Sequence, residues 1–513
     1  MKRRVLMNAG AAALLAPLAG CRRAAPKGGW TIREMRDSGW PAPDLVADAL
    51  RRVEALNLNG PSLRAVIETN PDAPDIARGL ERALARGPLH GIPVLVKDNL
   101  DTADAMRTTA GSLALLDAPA PERDATVVAR LRAAGAVILG KANLSEWANL
   151  RSPRSTSGWS ARGGLTLNPH DPRRTASGSS SGSAAAVAAG MVPAAIGTET
   201  NGSIVSPAAC CGIVGLKPTV GLVSRAGIIP ITPWQDTAGP MTRTVRDAAL
   251  VLSAIAGHDR MDPFTKNAAD RVLADYTVDF SVDALQGARL GIVRGMCGRD
   301  GRVHGVFEEA LKLLREAGAV LVDGVEIPHR REAGGAAWSA MLTEFRLALN
   351  EYLGARGGPV RTLADVIAFN EARAGEELAH FGQELFIEAE QRQGDDALAG
   401  ARAARSQALD LAGPRGIDAA LREHRLDALI CATNDPAGVV NLARGDSGGR
   451  TASGPAAVAG YPHLTLPMGR VDGMPVGLSF LGAAWSERRL LAFGDAFERR
   501  HPARAQETCC EAM

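Results

Sequence analysis

Two turns rich in serine and glycine, Ser177 to Ser183 and Asn201 to Ser203, bracket an Ala/Val-rich run near the middle of the chain. The first turn leads straight into Ala184-Ala185-Ala186-Val187-Ala188-Ala189-Gly190, too apolar and too small for a surface segment, so it is not a linker between domains. A phosphate loop of the Walker kind would end in Gly-Lys-Ser/Thr, and no lysine is present. What remains is a reactive turn that enters a core helix, where hydroxyls and backbone N–H groups at the positive helix end favour developing negative charge. The second turn, Gly197-Thr198-Glu199-Thr200-Asn201-Gly202-Ser203, brings the chain back. Gly202 lets backbone approach a substrate closely, and the consecutive N–H groups of Thr200, Asn201, Gly202 and Ser203 can form an oxyanion hole.

A serine nucleophile needs a base, and no histidine lies near either turn in sequence. Lys97 offers itself instead. It ends the apolar run Gly91-Ile92-Pro93-Val94-Leu95-Val96, which reads as a short strand delivering the amine to the edge of a core. Partial burial there lowers the pKa and makes the neutral amine a base. The chain has seven lysines against fifty-one arginines, so a surviving lysine marks a place where arginine cannot serve. Lys141 and Lys217 meet the same criterion and stay open as competitors.

The elements that must position these residues read as a layered α/β protein. Helical spacing runs over 42–55, followed by a strand at 63–68 and a helix over 75–86 that stops before Gly87-Pro88. Thr126 to Ala134 is an amphipathic helix, and 135–140 is a helix stop followed by a strand. Residues 151–176 form a long Ser/Gly/Arg/Pro-rich loop. Further on, 288–294 and 319–325 read as strands around a helix at 303–317. Strands return at 426–432, 464–467 and 476–481, with a closing helix at 487–499. Between them, 336–425 is Ala/Glu/Arg-rich with helical periodicity, expected to be an insert on the substrate side. Strands on both sides of it argue for one interrupted domain, 41–502, after a tether at 21–40 and before a tail at 503–513.

Composition sets limits. Apolar residues make up 46% of the 513 and charged residues 22%, ordinary for a globular enzyme. Lys2, Arg3 and Arg4 open an apolar stretch through Gly20, the pattern of an export leader too short to span a bilayer. It ends in Leu18-Ala19-Gly20-Cys21, which resembles a bacterial lipobox and points to lipidation of Cys21. The expectation is an exported protein, periplasmic or anchored to the envelope by that lipid, with no other membrane contact. Without residues 1–20 the charges balance to within one, which argues against a nucleic acid partner. Cys210, Cys211, Cys297, Cys431, Cys509 and Cys510 have no zinc-site spacing and read as buried or free thiols. A monomer fits this reading.

The separated motifs together resemble the amidase signature hydrolases. Val94-Leu95-Val96-Lys97-Asp98-Asn99, Gly140-Lys141-Ala142-Asn143, the Ser/Gly turn, Gly197 to Ile204, Gly212 to Thr219, Asp236-Thr237-Ala238-Gly239-Pro240-Met241 and Pro475-Val476-Gly477-Leu478 follow that family's order over roughly 45–499. The resemblance implies a large mixed central β-sheet covered by helices on both faces, with an additional helical segment. It also implies Ser203 as nucleophile, Ser179 as bridging serine after an unusual peptide geometry, and Lys97 as base, with no metal or cofactor. Ser177 and Ser181 stand where many members have glycine, which matches the peptide amidase branch. That branch implies removal of the C-terminal amide of peptides. A general amidase for small aliphatic or aromatic amides is the alternative. A binding protein that keeps the fold without activity is the third reading, and retention of all three triad residues argues against it. The glutaminase subunit of a tRNA amidotransferase fits poorly, because it works in the cytosol and would carry no export leader.

Overall fold

In the inner strands of the central sheet, side chains alternate between two apolar layers, and this alternation decides where Lys97 points. The structure is a computed structural model that describes residues 25–26, 29–83, 86–446 and 451–501. The export leader, Cys21, Cys509 and Cys510 lie outside the described residues. The strands are β1 (Val66–Thr69), β2 (Pro93–Lys97), β3 (Val137–Ala142), β4 (Trp159–Ser160), β5 (Gly164–Leu165), β6 (Ala194–Glu199), β7 (Val214–Lys217), β8 (Thr237–Thr242), β9 (Arg289–Ile292), β10 (Val320–Val322), β11 (Ala428–Ala432), β12 (His463–Val471) and β13 (Met474–Leu481). Eleven of them form one mixed sheet in the order β1-β3-β2-β6-β8-β7-β12-β13-β11-β9-β10.

On β2, Val94 and Val96 belong to the larger apolar cluster and Leu95 to the other, which also holds Ala184 to Val187 of the Ser181–Ala188 helix. Period two places Lys97 on the Leu95 side, toward the turn that starts this helix. The Ala-rich run is short and small because it lies flat against backbone. A side chain at Gly182 would overlap the Ala65 carbonyl, so the helix has no room for bulk on that face.

Most elements form where the sequence periodicity places them, with ends shifted by a few residues. The 151–176 loop contains the two-residue pair β4 and β5. β7 and β8 were legible only as motifs. β8 carries Gly239 and Pro240, residues that weaken a strand assignment. It survives because β7 pairs with it only at Met241 and Thr242, so Pro240 interrupts no rung on that side. The helical segment comprises helices Arg330–Arg356, Leu363–Ala372, Ala374–Glu377, Glu384–Gln391, Gly394–Ala412 and Asp418–His424, inserted between β10 and β11. It carries an apolar core of its own, in which Leu342, Phe345 and Phe386 meet Trp147, Ile229 and Ile231 from loops on the site side of the sheet. No helix among the described residues is long and apolar enough to cross a membrane.

Candidate active site

Lys97 is fully buried at the end of β2. Its Nζ donates to Ser179 Oγ at 2.8 Å, to Thr198 Oγ1 at 2.9 Å and to the Thr198 carbonyl at 3.2 Å. Burial pulls its pKa from the ordinary 10.5 down to about 7, partly opposed by the carboxylates of Asp236 and Glu199. The two competitors are also buried, and burial lowers each of them to about 8. Their hydrogen bonds separate them from Lys97. Lys141 donates to the Leu100 carbonyl at 2.5 Å and to Thr108 Oγ1 at 2.8 Å, and Lys217 donates to the Pro218 carbonyl at 2.9 Å. Neither is bonded to a serine.

The serines of the first turn divide by what their hydroxyls touch. Ser180 Oγ donates to the Thr198 carbonyl at 3.1 Å and accepts from Thr198 N–H at 3.2 Å, tying the turn to β6. Ser181 Oγ bonds the Ser177 carbonyl at 2.6 Å and Ser183 Oγ bonds that of Ile196 at 3.1 Å. Ser177 Oγ pairs with Ser206 Oγ at 2.9 Å. Only Ser179, itself buried, meets an amine. The peptide between Gly178 and Ser179 is cis, as the family resemblance implies. A side chain at Gly178 would overlap Ser145 Oγ, and the Ser179 carbonyl accepts from Ser145 N–H at 3.0 Å.

The second turn is held from several sides. Gly202 has φ +86°, a left-handed conformation that glycine adopts without cost. Ser180 N–H donates to the Ser203 carbonyl at 3.1 Å, joining the two turns. One oxygen of the buried Glu199 carboxylate accepts from Ile204 N–H at 2.8 Å and Val205 N–H at 3.0 Å, at the start of the Val205–Cys211 helix. Asn201 Oδ1 accepts from Ser453 Oγ at 2.6 Å. Thr200 Oγ1 donates to Asp236 Oδ1 at 2.6 Å, while the other Asp236 oxygen takes the N–H groups of Ile231 and Thr232. The backbone N–H groups of Asn201, Gly202 and Ser203 have no acceptor among the described residues. Consecutive unpaired donors of this kind are what the oxyanion reading of Thr200 to Ser203 requires.

The sequence assigns no role to Thr198, Glu199 or Asp236, although all three lie inside the family motifs. Their signal was present: polar residues inside otherwise small or apolar strand segments must find partners when buried. Which partner they find is a tertiary fact.

A cleft of 650 Å³ opens on the two turns, lined by Ser177, Gly178, Asn201 and Gly202 together with Arg174, Asn434, Asp435 and Asp446. The helical segment does not line it. It instead lines a second cleft of 640 Å³, through Ala348, Glu351, Tyr352 and Arg356, which reaches Asp236. Cys210, Cys211, Cys297 and Cys431 are buried thiols that form no disulfide among the described residues, in keeping with the sequence reading. Among the described residues no cluster of three or more metal-ligating side chains occurs.

Comparison with known proteins agrees with this architecture. The sequence model of the Amidase family matches residues 44–491. A probable amidase of Arabidopsis thaliana is 41% identical over 461 residues, covering 87% of this chain and 85% of its own. The crystal structure of the peptide amidase PAM with the competitive inhibitor chymostatin is 50% identical with TM-score 0.87, covering 91% of this chain and 96% of that one. Native peptide amidase from Stenotrophomonas maltophilia is 49% identical with TM-score 0.86, covering 94% and 97%. The family model spans most of the chain and these relatives cover it nearly end to end, so the chain belongs to the amidase family and is an amide-hydrolysing enzyme.

Proposed function

We propose that the enzyme hydrolyses amides by acyl transfer to Ser203, with Ser179 as relay and Lys97 as base, and that its substrates are peptides carrying a C-terminal amide. The observation that carries the triad is the 2.8 Å bond from Lys97 Nζ to Ser179 Oγ, made by an amine whose burial brings its pKa near neutrality. Neutral Lys97 takes the Ser179 hydroxyl proton as Ser179 takes that of Ser203. Ser203 Oγ then attacks the amide carbonyl, and the Asn201 to Ser203 N–H row receives the oxyanion. The proton returns through Ser179 to the leaving nitrogen, and ammonia departs. Water, deprotonated by the same relay, then attacks the acyl-enzyme. A free carboxylate leaves and Ser203 recovers its proton.

The likeness to peptide amidases supports the peptide substrate, as does a cleft at the turns with the volume of a site for ligands larger than a simple amide. Export by the leader of residues 1–20 would place the reaction where peptides are available and aminoacyl-tRNA is not. Ammonia release from a panel of peptide amides and small aliphatic and aromatic amides tests the assignment. Peptide amides are expected to lead in kcat/KM by about tenfold or more. Turnover of small amides alone would remove the peptide assignment, and release from none of them would return the binding-protein reading.

The pH profile tests the base. Only the neutral amine accepts a proton, so kcat/KM is expected to climb about tenfold per pH unit below the Lys97 pKa and to level off above about 7. A profile flat across that region would assign the base elsewhere.

A further inference from the structure

The peptide unit between Thr200 and Asn201 is planar, so whatever holds the Thr200 carbonyl also aims the Asn201 N–H. That carbonyl accepts from Gln235 Nε2 at 3.1 Å. Gln235 is fully buried, and its other amide atom, Oε1, accepts from Arg405 Nη1 at 2.6 Å. A guanidinium only donates, so Arg405 forces the amide oxygen toward itself and the NH2 toward Thr200. Arg405 is in turn gripped by Glu344, with Nε to Oε1 at 2.9 Å and Nη2 to Oε2 at 2.7 Å. This bidentate pair leaves the planar fork a single orientation. Thr232 Oγ1 donates to the same carboxylate at 2.6 Å.

Glu344 and Arg405 sit on two different helices of the inserted segment, Arg330–Arg356 and Gly394–Ala412. Gln235 lies just before β8, and Thr200 just after β6. From Arg405 onward the links run in one donor-to-acceptor sense, Arg405 to Gln235 and Gln235 to the first peptide of the oxyanion turn. Neither Gln235 nor Arg405 lines either of the two clefts, so a substrate in them does not touch the chain of bonds.

We propose that Gln235, oriented by the Arg405–Glu344 pair, is a positioning residue that aims the Asn201 N–H at the oxyanion, so that the helical segment controls turnover as well as enclosing a cleft. The inference rests on the proposed acyl transfer at Ser203. Its expected signature is in kcat, because a misaimed donor is felt when charge develops on the carbonyl oxygen and much less when the ground-state amide binds. Thr200 keeps its Asp236 bond when Gln235 is replaced, so the turn loses one of its two Thr200 anchors and stays folded.

The test uses the full chain with a good amide substrate and measures kcat and KM separately for Gln235→Met, Arg405→Met and the double variant, with thermal unfolding of each. Gln235→Met is expected to lower kcat by about 10- to 100-fold, below the cost of removing an oxyanion donor outright, with KM within about threefold of the parent. Arg405→Met is expected to act in the same direction. The double variant should fall no further than the worse single one, since both act through one carbonyl. If Arg405→Met does not fold, Gln235→Met alone decides the matter. Unchanged kcat in Gln235→Met, a rise in KM alone, or multiplied losses in the double variant would overturn the proposal. Ser203→Ala assayed beside them separates the two failures. An active Ser203→Ala sinks the site itself, whereas an inactive one beside a normal Gln235→Met sinks only this inference.

Discussion

Ser203→Ala is expected to lower kcat on the order of 10³-fold or more, leaving only what binding and the oxyanion donors supply. The substitution is structurally mild. Ser203 contributes its carbonyl to Ser180 N–H, a backbone bond that alanine keeps, and its hydroxyl has no structural partner among the described residues. Thermal unfolding of the variant should therefore match the parent while ammonia release disappears. Retention of more than about a tenth of the parent kcat would place the nucleophile elsewhere. The neighbouring serines give the contrast, because Ser180, Ser181 and Ser183 spend their hydroxyls on backbone of β6 and of the turn itself.

Lys97→Met should be comparably damaging to turnover and should separate chemistry from folding. Methionine is close to lysine in length and carries no charge, so it fills the site without leaving a void. Burial lowers the Lys97 pKa, which means that the fold disfavours the charged amine. The sign of the linkage follows. Between about 7 and 10.5 the unfolded chain holds the proton and the folded one does not, so stability rises with pH across that window and is lost as pH falls through about 7. Lys97→Met removes this dependence. The variant is expected to unfold cooperatively, to lose that part of the pH dependence of its melting temperature, and to lose kcat by on the order of 10³-fold or more. Activity near that of the parent would exclude Lys97 as base.

The elements that carry Lys97 and Ser203 differ in how far the sequence makes them legible. β2 was readable because an apolar run ending in charge, with glycine and proline at its start, has few other meanings. The core helix at 181–188 was readable because its residues are too small to be anything but a close contact. β7 and β8 were not readable as strands. β7 is only four residues long and β8 carries Gly239 and Pro240, and both take their conformation from neighbours on both sides, which local propensity does not record. The helical segment announced itself by periodicity, yet nothing in its composition singled out Glu344 or Arg405. An arginine on a helix face in a chain with fifty-one of them carries no signal until its partners are known.

What the sequence determined alone was the family, the order of elements, and a short set of chemical candidates: two hydroxyl-bearing turns and three lysines. Spacing and motif carry that information because turns and strands are local. The tertiary structure decided among the candidates. Lys97, Lys141 and Lys217 are all buried and all lowered in pKa, so burial does not choose between them. The choice rests on a hydrogen bond across eighty-two residues of chain, formed because β2 and β6 lie side by side and the 181–188 helix covers the face to which Lys97 points. Strand pairing is a long-range property, and with it came the assignment of Ser179 to the amine and of its neighbours to the backbone.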